Sequence, residues 1–90
     1  MTKIFVLDKE KNIKVICDKI DIESKKYSFK HSAELYIDSV VVAKVEIKYD
    51  NRTWECYEFR TALFNIVDTY KFFSDEDKTK YLDVVRGWGY

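Results

Sequence analysis

Alternation of apolar and polar side chains through residues 27–59 constrains this chain more than any other feature. Tyr27, Phe29, His31, Ala33, Leu35 and Ile37 fall on one face of an extended strand, and Ser28, Lys30, Ser32, Glu34 and Tyr36 on the other. The pattern resumes with Val41, Ala43, Val45, Ile47 and Tyr49 inward and Lys44, Glu46 and Lys48 outward. Trp54 and Cys56 continue it beyond Asp50-Asn51. This period of two predicts a half-buried antiparallel sheet.

Residues paired across strands share a face, so the first hairpin is expected to close through an odd loop, Asp38-Ser39-Val40, with Ile37 opposite Val41. The pairs Leu35–Ala43, Ala33–Val45, His31–Ile47 and Phe29–Tyr49 follow. Asp50-Asn51 tolerates the positive φ of a type I′ turn, and the second hairpin then sets Ile47 beside Trp54 and Val45 beside Cys56. On the outer face Glu34 is expected to meet Lys44 as an ion pair worth ~0.2–1 kcal/mol.

Upstream, residues 3–7 form a short strand apolar on both faces. Ile13, Val15 and Cys17 alternate inward in the next, and the phase slips at Asp18-Lys19 before Ile20 and Ile22, as at a β-bulge. With Ser24-Lys25-Lys26 as the turn, Ile22 pairs with Tyr27 and Cys17 with His31. One inner row then reads Val15, Ala33, Val45, Cys56, small enough to admit a helix. Whether the first strand lies beside the second or on the opposite edge stays open.

The period changes at Phe59, where Phe59, Leu63, Ile66, Val67, Tyr70 and Phe73 recur at helical spacing. Ser74 followed by Asp75, Glu76 and Asp77 reads as an N-cap with acids in the first turn. A second, shorter helix carrying Tyr81, Leu82, Val84 and Val85 ends at Arg86-Gly87. The expected fold class is α+β: an antiparallel β-meander of four to five strands, with one long and one short C-terminal α-helix packed on one face. Ninety residues with no Pro and two Gly leave no linker, so residues 1–90 form a single domain.

Formal net charge is zero, which argues against a general polyanion binder but not against a local basic patch. The chain begins without the apolar run of a secretion signal, and no fully apolar run is longer than residues 40–43, far too short to cross a bilayer. A soluble, cytoplasmic protein is expected, with no membrane partner. Cys17 and Cys56 lie three strand spacings apart in an open meander, ~14 Å at ~4.8 Å per strand, beyond the ~7 Å that a disulfide spans. Both are expected to be buried thiols.

Little in the chain calls for catalysis. His31 lies on the inward face beside Ile47 and Cys17, where a buried, hydrogen-bonded histidine is the expected outcome. The register does bring Cys17 and His31 together, but no orienting group or oxyanion hole accompanies a Cys–His nucleophile. Asp18, Asp21 and Glu23 fill solvated strand positions rather than a hard-metal site. Glycine-rich phosphate loops, Cys-x-x-Cys and His-Glu-x-x-His are absent from the sequence. No catalytic residue, cofactor or metal is therefore expected, and the protein is not expected to be an enzyme.

The outer sheet face carries the functional expectation. Lys14, Glu34, Tyr36, Val42, Lys44 and Tyr57 compose an aromatic, mixed-charge surface suited to a protein partner. The alternative is a basic stripe of Lys19, Lys25, Lys26, Lys30, Lys48 and Arg52, with Tyr27 nearby for stacking, which would bind nucleic acid. Glu46 and Glu55 lie in the row beside it. Trp88 and Tyr90 either join the surface or cover the core. Oligomeric state is not legible.

Across its whole length, in a single-domain, cysteine-poor chain rich in Lys, Ile, Asp, Glu and Tyr with a mixed-charge face, the sequence resembles in manner the small accessory proteins of phages and mobile elements, including anti-CRISPR and other anti-defence inhibitors. The resemblance rests on no motif and carries no functional residue across. It implies a non-catalytic inhibitor or adaptor that binds a protein and acts by steric blockade.

Overall fold

The structure is a computed structural model that describes residues 2–21, 29–49 and 59–87. Its order is β1 (Thr2–Asp8), β2 (Ile13–Asp21), β3 (Phe29–Ile37), β4 (Val40–Tyr49), α1 (Arg60–Thr69) and α2 (Asp75–Arg86). Among the described residues the strands form one antiparallel sheet in the order β1-β2-β3-β4, so the first strand lies beside the second. The expected α+β meander with two C-terminal helices is the fold observed. A fifth strand through Trp54 and Cys56 would lie outside the described residues.

Between β3 and β4 the pairs Leu35–Ala43, Ala33–Val45, His31–Ile47 and Phe29–Tyr49 are present as the alternation requires. Above Leu35 the expected register fails. Tyr36 pairs with Val41 and Ile37 with Val40, leaving Val42 as the extra residue of a bulge. The turn is Asp38-Ser39, two residues rather than three, with φ of 52° and 67°. Two left-handed residues match the twist of the flanking strands, and the bulge restores the parity that a two-residue turn breaks.

The bulge expected at Asp18-Lys19 does not form. β2 pairs with β3 without a shift from Ile13–Ile37 through Asp21–Phe29, so Cys17 lies opposite Ala33 and Lys19 opposite His31. Lys19 therefore keeps the inward phase. It does so because its ammonium can lie over the rim of the core, 5.1 Å from the Phe29 ring centroid. Ile20 is turned outward and is 43% exposed. The small inner row is Cys17, Ala33 and Val45. The expected pair Ile22–Tyr27 lies outside the described residues. A register shift occurs instead in β1, where Leu7 is the extra residue between Val6 and Asp8.

α1 lays Ala62, Leu63, Ile66 and Val67 against the inner face, all fully buried. It starts at Phe59, whose φ of 71° is unusual for a residue with a side chain. The Phe59 ring offsets that strain, packing edge-on to Phe5 at 6.5 Å and against His31 at 4.6 Å. The helical spacing continues to Phe73, yet α1 stops after 10 residues and Tyr70 is extended. After the turn Tyr70 meets Phe73 edge-on at 4.7 Å and Phe73 meets Tyr81 of the second helix edge-on at 5.0 Å. The second helix, at 12 residues, is thus the longer. Ser74 caps it as expected: its Oγ accepts from the Asp77 N–H at 3.1 Å.

α2 is fastened to the first turn of the sheet. The Asp8 carboxylate accepts from the Lys11 N–H at 3.2 Å, from the Tyr81 hydroxyl at 3.0 Å and from Lys80 Nζ at 3.3 Å. Lys11 in turn reaches Asp77 at 3.1 Å. Both helices thereby occupy the inner side of the sheet and leave its outer side uncovered by any described element.

Candidate protein interface

On the outer face the rows are set by register. One runs Val6, Lys14, Tyr36, Val41 and the next Ile4, Ile16, Glu34, Lys44. Lys14 Nζ lies 5.6 Å from the centroid of the Tyr36 ring, a cation–π contact, and Tyr36 is half-buried. Val41 is 45% exposed beside it and Val42, at the bulge, 39%. Five of the six residues expected to compose a protein-binding face are thus neighbours: Lys14, Glu34, Tyr36, Val42 and Lys44. Tyr57 lies outside the described residues.

Glu34 and Lys44 are register partners, but Lys44 turns along its own strand to Glu46, Nζ to Oε1 3.9 Å. Glu46 also draws Lys30, at 3.6 Å. The basic stripe is changed accordingly. Lys30 and Lys48 are opposite each other, Lys19 has moved to the inner phase, and Ile20 takes its place in the row. Lys25, Lys26 and Arg52 lie outside the described residues.

The outer face is more apolar than the alternation implied. Ile4 and Val6 were expected to be buried with the rest of their strand, yet they are 60% and 53% exposed. Residues 3–7 are apolar on both faces, so parity alone could not say which side meets the helices. Phe5 and Leu7 do. Ser32, at the centre of the outer face between Asp18 and Glu46, is 8% exposed.

Elsewhere, a shallow groove of about 350 Å³ lies between the helices, lined by Thr61, Phe64, Asn65, Asp68, Leu82 and Arg86. Arg60 and Arg86 lie against Phe64 at 5.4 and 5.8 Å, and Arg86 is held by Asp83 at 2.9 Å. Phe72 in the interhelical turn is 84% exposed.

The expected meeting of Cys17 and His31 does not occur, because His31 is opposite Lys19. Cys17 is a free, fully buried thiol whose pKa burial pushes up to about 12, so it is no ready nucleophile. Burial, with Lys19 adding to it, lowers the pKa of His31. Among the described residues no group of three His, Cys, Asp or Glu could hold a metal ion, and no helix is long and apolar enough to cross a membrane.

In comparisons with protein-family models, with curated proteins and with solved structures, the chain matches none.

Proposed function

We propose that this chain is a non-catalytic protein-binding module, an inhibitor or adaptor that blocks a partner sterically through the outer face of its sheet. The observation that carries this reading is the row Lys14, Tyr36, Val41: an aromatic ring beside a cation, with an exposed aliphatic residue as its register partner, on a face no described element covers. Aromatic anchors on rigid strands are the groups that contribute most at protein interfaces, because they bury large area at little cost in side-chain entropy. Steric blockade is also the mode of action implied by the likeness in manner to anti-defence accessory proteins. A nucleic-acid role is the weaker reading, since Lys30 lies on Glu46 and Lys19 has left the outer row to Ile20.

The test is capture of a partner by the immobilised chain, compared with capture by Tyr36→Ala and by Phe72→Ser. A partner retained by the wild type and by Phe72→Ser but lost with Tyr36→Ala supports the outer face. Equal retention by all three overturns it.

A further inference from the structure

We draw no further inference here: the strongest candidate, the groove between α1 and α2 lined by Phe64, Leu82 and Arg86, carries nothing, because Arg86 is already held by Asp83 at 2.9 Å and nothing in the structure shows what covers the groove.

Discussion

The hydroxyl of Tyr81 donates to the carboxylate of Asp8 at 3.0 Å, joining residues 73 positions apart in the chain. That contact ties the last helix to the first turn. The Asp8 carboxyl is held below its ordinary value, first by the Lys11 N–H, then by Tyr81 and Lys80, with burial opposing them. Burial, and then Asp8 itself, pushes the Tyr81 hydroxyl up, so it remains a donor through the neutral range.

Tyr81→Phe and Asp8→Asn should each lower the urea midpoint. The double variant should lose less than the two losses combined, because both remove one contact. Strict additivity in equilibrium unfolding would show that the two residues act independently.

The sign of the pH dependence follows from the direction of the shift. Asp8 binds its proton more weakly folded than unfolded, so its contribution is fully present above the unfolded value, ~3.9. It is lost as the pH falls through the lower folded value. Thermal melts of wild type and Asp8→Asn should therefore converge as the pH drops below 4. His31 works the same way in a higher window, since its folded pKa is also depressed. Stability should fall as the pH drops through ~6.5, and His31→Leu should flatten that slope.

Ser74→Ala should cost about 0.5–2 kcal/mol, because its Oγ is the acceptor for the Asp77 N–H. Ser74→Asp, which restores an acceptor oxygen, should recover most of the loss in the same melts.

Phe59 separates strain from packing. A left-handed residue with a side chain costs ~1–2 kcal/mol, and glycine would remove that cost. The same change deletes a fully buried ring from between Phe5 and His31, a loss of the order of 3–5 kcal/mol for aromatic truncation. Packing wins by this comparison, so Phe59→Gly should be less stable than wild type. A gain in melting temperature would show that the ring contributes little.

Parity made the sheet legible: the faces of Leu35, Ala33 and Phe29 follow from alternation and are as observed. It failed where a residue had two acceptable surroundings. Lys19 can lie over Phe29 from the inner phase, so a bulge inferred from its charge was unnecessary. The Asp38-Ser39 turn and the Val42 bulge compensate each other, and a parity rule sees only their sum. Contacts such as Asp8 with Tyr81 leave no local trace, because each residue reads as an ordinary surface or core type in its own segment.

The final prediction divides surface from core. Leu35 is fully buried on the inner phase, while Tyr36, one residue on, is half-exposed on the outer phase. Val45 lies between these, partly buried against the core cluster. Leu35→Ala should therefore lose about 2–5 kcal/mol through the cavity it leaves, and Val45→Ala less than Leu35→Ala. Tyr36→Ala should leave the melting temperature nearly unchanged, since what the ring forfeits is its contact with Lys14, worth about 0.5–1 kcal/mol at an exposed site. Its effect should appear in partner binding, where truncating an anchoring tyrosine costs about 2 kcal/mol or more, a loss well over tenfold in affinity. Leu35→Ala, measured under conditions where it is folded, should bind as wild type. If Tyr36→Ala unfolds the chain, or binds as well as wild type while remaining folded, the outer row is not the contact surface.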